Sequence, residues 1–144
     1  MANVRLRLAD ARVVLEAALG KAEEMGQPMN VAVVDGGGHL LAFARQDGAI
    51  LASIDIAVRK ARTAVLMAMT TEKLGVSAAP GGPLYGIEVT NDGLVIFGGG
   101  IPLTGEDGEV AGGIGVSAGT VEQDVAVATA GADAFGNGLA QPSA

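Results

Sequence analysis

Two side chains carry most of the chemistry this sequence offers, Lys60 and His39. Lys60 sits in a stretch, roughly Ala49 to Thr70, where Ile50, Ile54, Ala57, Ala61, Val65 and Ala68 recur at helical spacing. Its own face also carries Ser53, Ile56, Thr63 and Met67, half polar and half apolar. An ammonium on such a face, pointed into a cleft, loses solvation; its pKa falls, and it is readied as an acid, a base or an anion anchor. Turned outward, it is a lysine snorkelling at a helix flank. Thr63 shares the face and is a candidate ligand contact. His39 is the only histidine, so it cannot build a multi-histidine metal site. A haem iron, by contrast, needs a single axial protein ligand.

Arg45, Asp47, Glu88 and Asp124 are charges at the ends of predicted elements, where sites tend to be built. Each also suits a cap or a surface ion pair, and Asp124, in the first turn after Thr120, is favoured by the helix dipole. Together these residues would suit a cofactor-free lyase, hydratase or isomerase acting on a small anionic metabolite. Lys60 and Arg45 would anchor it, Asp47, Glu88, Tyr85 or Asp124 would move protons, and the backbone of Gly98, Gly99 and Gly100 would act as an oxyanion-type donor. Met25, Met29, Met67 and Met69 are soft donors by type and core residues by spacing.

Two motifs invite stronger readings and do not support them. Gly113-x-Gly115-x-x-Ala118 has the form of a dinucleotide fingerprint, but too few residues follow to build the returning strand and the ribose-binding acid. Gly115-Val116-Ser117-Ala118-Gly119 matches a nucleophile elbow, yet the only histidine lies upstream of the serine, the reverse of what that triad requires. Both read as a small-residue strand end feeding a helix, with N–H groups able to hold an anion.

The elements that must position these residues follow from periodicity and turn chemistry. Leu8, Ala11, Leu15, Ala18, Leu19, Ala22 and Met25 predict an amphipathic helix stopped by Gly26 and Pro28. Val31–Val34 and His39–Arg45 flank a Gly-rich turn and predict a hairpin. After the Lys60 helix, Thr71 to Pro83 reads as a loop with at most one helical turn. Tyr85–Thr90, Asn91-Asp92-Gly93 and Leu94–Phe97 predict a second hairpin, Glu109–Val116 a last strand. Thr120 to Gln123 has capping-box spacing before a final helix, and the tail after Gly136 reads as frayed. The order is α-β-β-α-β-β-β-α, an α+β domain with an antiparallel sheet covered by helices.

Composition bounds the rest. One domain, residues 1–144, fits the length, and 49% apolar against 17% charged residues supports a buried core. A net charge of −7 and the lack of a basic cluster beyond Arg59, Lys60 and Arg62 argue against nucleic acid and anionic membranes as partners. The absence of cysteine excludes disulfides, thiolate metal sites and Cys nucleophiles. No apolar run matches a membrane span, and the N-terminus lacks a signal-peptide core, so a cytoplasmic location is the expectation. Twenty-three glycines with only 3% aromatics predict tight small-residue packing, completed by a partner chain in a homo-oligomer.

Taken as a set, the residues resemble the GlcG-like, or haem-degrading-domain, family. The resemblance rests on Val33-Val34-Asp35 with Gly38-His39-Leu40, on Phe43 through Ala49, and on Ala57-Val58-Arg59-Lys60-Ala61-Arg62-Thr63-Ala64. It continues through Pro83-Leu84-Tyr85-Gly86-Ile87, Phe97-Gly98-Gly99-Gly100-Ile101-Pro102-Leu103, Gly112 to Ser117 and Gln123-Asp124. At Ala118 the family more often shows Gly. The resemblance implies a profilin-like fold with a five-stranded antiparallel sheet between helices, and homo-oligomers from tetramer to octamer. It also implies a small-molecule ligand, with haem the cofactor and His39 the metal ligand if haem is bound. Family members are associated with haem binding, with the C-terminal part of cobalamin adenosyltransferase proteins and with catabolic operons. Haem binding, the enzyme built around Lys60 and a non-catalytic sensor therefore all stay open at the level of sequence.

Overall fold

The computed structural model describes residues 6–139. The first helix, α1 (Leu8–Met25), turns Ala11, Val14, Leu15, Ala18 and Ala22 inward and ends at Gly26, whose φ of 69° is the left-handed stop its lack of a Cβ permits. At its other end the Asp10 carboxylate accepts from the Arg7 backbone N–H and from the Arg7 guanidinium. Strands β1 (Asn30–Asp35) and β2 (Leu40–Arg45) form the expected hairpin, and α2 (Ala52–Met67) follows. The chain continues through α3 (Thr71–Ala78), β3 (Gly100–Thr104), β4 (Val110–Ser117) and α4 (Val121–Leu139).

The antiparallel sheet has the order β2-β1-β4-β3, with Asn30 opposite both Arg45 and Ser117, and Gly100 opposite Gly115. One face packs Val31, Val33, Ile114 and Val116 against α1 and α4. The other packs Ala32 and Val34 against Ala57 and Ala61 of α2. Glycines on β4 set how closely α2 approaches: a Cβ on Gly113 would stand 2.6 Å from the Ala61 carbonyl oxygen, and one on Gly115 would collide with the Ala57 carbonyl. Small residues here are a packing requirement, and they bring the α2 backbone down onto the sheet.

At the β3 edge, the Gly99 carbonyl accepts from Val116 N–H, while the Gly100 N–H points the other way, to Thr71 Oγ1 at 2.9 Å. Alternation then turns the proline nitrogen of Pro102 outward as well, the position a central strand would not tolerate.

The structure corrects three expectations. The sheet has four strands, not five: the predicted hairpin of residues 85–97 does not form, and Gly100–Thr104, not predicted as a strand, supplies β3. Its turn exists, with Asn91 and Asp92 at positive φ, but residues 87–89 make a short 3-10 turn and the Val95 N–H donates to the Thr63 hydroxyl in place of a neighbouring strand. The segment 71–83, read as loop, contains α3, begun by Thr70, whose side chain accepts from Lys73 N–H. The frayed tail predicted after Gly136 is helical through Leu139, and 140–144 lie outside the described residues.

Candidate functional site

Lys60 is fully buried, neither snorkelling nor open to a cleft. From α2 on one face of the sheet it reaches past Gly99 to the start of α4 on the other. Its Nζ donates to the Val116 carbonyl at 2.8 Å and to Asp124 Oδ2 at 2.9 Å, and lies 5.0 Å from the centre of the Phe97 ring. Asp124 Oδ1 accepts from Gly119 N–H at 3.0 Å, so the carboxylate also fastens the turn before α4. Burial pushes the Lys60 amine below its ordinary value and the Asp124 carboxyl above its own, each push opposed by the partner's hydrogen bond and charge.

The glycines at 98–100 make room for this pair. Gly99 has φ +126°, and a Cβ there would stand 2.6 Å from Lys60 Nζ. A Cβ on Gly98 would stand 2.6 Å from a Val125 methyl. Thr63, another candidate on the same helix, is buried and accepts from Val95 N–H at 3.1 Å. Lys60, Asp124, Thr63 and the glycine run therefore form a packed polar seam across the end of the sheet.

The remaining candidates lie elsewhere. Arg45 and Asp47 line a surface pocket beside the C-terminus of α1 that does not include Lys60. Tyr85 is exposed before the 3-10 turn, and Glu88 lies within it with Oε1 buried and lacking a partner. His39 is exposed at the tip of the β1–β2 hairpin. Its N–H donates to Asp35 Oδ1 at 3.0 Å, as does the Gly37 N–H at 2.9 Å, which fixes the turn and leaves the imidazole at the surface. The hairpin abuts α2: a Cβ on Gly38 would lie 3.4 Å from Arg62 Cγ.

Sequence reasoning missed two participants. Glu23, on the polar face of α1, joins the Arg45 pocket, and the Gly26 stop was the signal that its turn ends beside the strands. Thr71 caps the Gly100 N–H. No local pattern announces this contact, since it is made across the fold.

Comparison with known proteins agrees with this architecture. Residues 6–133 match the family described as haem degrading protein HbpS-like. The chain is 41% identical over 131 residues to an uncharacterized 15.0 kDa protein from the dhaT-dhaS intergenic region of Citrobacter freundii, covering 90% of this chain and 92% of that one. Among solved structures, Klebsiella pneumoniae protein ORFY is similar with a TM-score of 0.89 and 37% identity, covering 94% of each chain. A PduOC:Heme complex is similar with a TM-score of 0.85 and 37% identity, covering 91% of this chain and 95% of that one. GlcG of Escherichia coli strain K12 is 34% identical over 107 residues, 74% of this chain and 77% of that protein. With the match spanning nearly all described residues, the chain belongs to the GlcG-like, HbpS-like family.

Proposed function

We propose that this protein binds haem, with His39 as the axial ligand to iron. The observation that carries the reading is the placement of the only imidazole: exposed, on a turn fixed through Asp35, beside a half-exposed Leu40 and the stem of Arg62. These residues fit the group's needs, which are one donor to iron, apolar contact for the porphyrin and a cation for a propionate. Among the described residues no cluster of three His, Asp or Glu side chains is placed to hold a bare metal ion, whereas a lone imidazole suits a single axial position. Membership of the HbpS-like family and likeness to PduOC, solved as a haem complex, support the reading. When bound, haem supplies an iron centre whose ligand-binding and redox properties the axial donor tunes.

Titration with haemin, followed by the Soret band, tests this directly. The parent protein is expected to give a saturable Soret shift that His39→Ala abolishes while its circular dichroism stays unchanged. No shift in the parent overturns haem binding; a shift indifferent to His39→Ala overturns the assignment of the ligand.

A further inference from the structure

The C-terminus of α1, the approach to β1 and the end of β2 border an open surface pocket of about 460 Å3, within the range of small-molecule sites. Its floor is fixed. The Gln46 side chain accepts from Met29 N–H at 2.9 Å and donates to the Leu19 carbonyl at 3.3 Å, tying β2 to both α1 and β1. Its rim carries Glu23, Arg45 and Asp47, all exposed, and among the described residues none of the three enters an ion pair. Three charged side chains outside any ion pair thus border one open pocket. The end of α1 beside them adds the partial negative charge of a helix C-terminus.

The complement of this arrangement is specific. A guanidinium offers a planar fork that matches one carboxylate. Two separate carboxylates, at a helix end that already favours cations, match two cationic groups. We propose that the pocket binds a dibasic amino acid, its α-carboxylate on Arg45 and its two ammonium groups on Glu23 and Asp47. This site is independent of the haem reading, since His39 is not among the residues that line it.

Calorimetric titration with three probes of similar length tests the proposal: L-lysine, cadaverine, which lacks the carboxylate, and norleucine, which lacks the side-chain cation. L-lysine is expected to bind about tenfold or more tightly than either analogue, the loss for one charge-assisted contact. Arg45→Ala should erase the preference for L-lysine over cadaverine, and Glu23→Gln or Asp47→Asn should weaken L-lysine by a similar factor. All three side chains are exposed, so these variants should melt at the parent temperature and titrate haemin as the parent does. No heat with millimolar L-lysine, equal affinity for the three probes, or parent-like preference in Arg45→Ala would each overturn the proposal.

Discussion

Lys60 and Asp124 belong to helices on opposite faces of the sheet, 64 residues apart in sequence, and their side chains meet at 2.9 Å almost wholly out of solvent. The pair fastens the two layers at the end of β4. Breaking such a pair by removing one partner leaves an uncompensated buried charge. Lys60→Met is therefore expected to cost about 3–5 kcal/mol in urea unfolding at neutral pH, and adding Asp124→Asn should restore much of the loss. A strictly additive double variant would show that the pair is not coupled.

The same variant carries a pH signature. Burial already raises the Asp124 carboxyl above its ordinary 3.8, and Lys60→Met removes the charge that opposes this. A group whose folded-state pKa is raised contributes stability that is full below the unfolded value and is lost as pH rises through the folded one. The deficit of Lys60→Met should accordingly shrink as pH falls towards 3.8 and grow towards neutrality. A pH-independent deficit would mean that the lost lysine acted through packing alone.

Two glycines give opposite expectations. Gly20 in α1 is exposed, and a Cβ there meets nothing within 4 Å, so Gly20→Ala should stabilise the protein by about 0.5–1 kcal/mol through helix propensity. Gly115 faces the Ala57 carbonyl across a closed gap, so Gly115→Ala should destabilise by about 1–3 kcal/mol or more as α2 is lifted from the sheet. Thermal melts of the two single variants distinguish them by sign.

Thr63→Val keeps shape and removes one acceptor. It strands the Val95 N–H inside the protein, with an expected cost of about 1–3 kcal/mol. Because the hydroxyl is occupied by that bond, haemin affinity of the folded variant should match the parent. A stable variant with impaired haemin binding would assign Thr63 to the ligand instead.

Acid unfolding should begin in part at the start of α1. Burial alone would raise the Asp10 carboxyl, but the hydrogen bonds and charge of Arg7 outweigh it and hold it below 3.8. The stability this supplies is present above 3.8 and lost as pH falls through the lower folded value. Asp10→Asn keeps an acceptor for the Arg7 N–H but loses the charge, so it is expected to lower neutral-pH stability by about 0.3–1 kcal/mol and to flatten the acid limb.

Much of the fold was readable because local chemistry and tertiary packing agree. The apolar stripe of α1 with Gly26 behind it, the Gly-rich turn before His39 and the Thr120–Gln123 spacing each specify an element that forms. Residues 85–97 misled because the turn chemistry of Asn91-Asp92-Gly93 is real while the strands beside it are not. Arg59 and Arg62 of α2 donate to the carbonyls of Asp92 and Asn91, and Thr63 accepts from Val95, so side chains take the bonds that a ladder would have supplied. The half-polar face around Lys60 was visible in the sequence. Its destination was not, since the partner arrives on a helix from beyond the sheet and only the folded order of strands brings the two together.

The outer margin of β3 is sealed twice over, at Gly100 by a threonine hydroxyl and at Pro102 by a missing donor. On the opposite flank, β2 runs six residues without a proline. The two edges therefore differ in how readily they would accept a foreign strand. Extension is favoured outward from Leu40–Arg45, where no proline removes a donor from the edge.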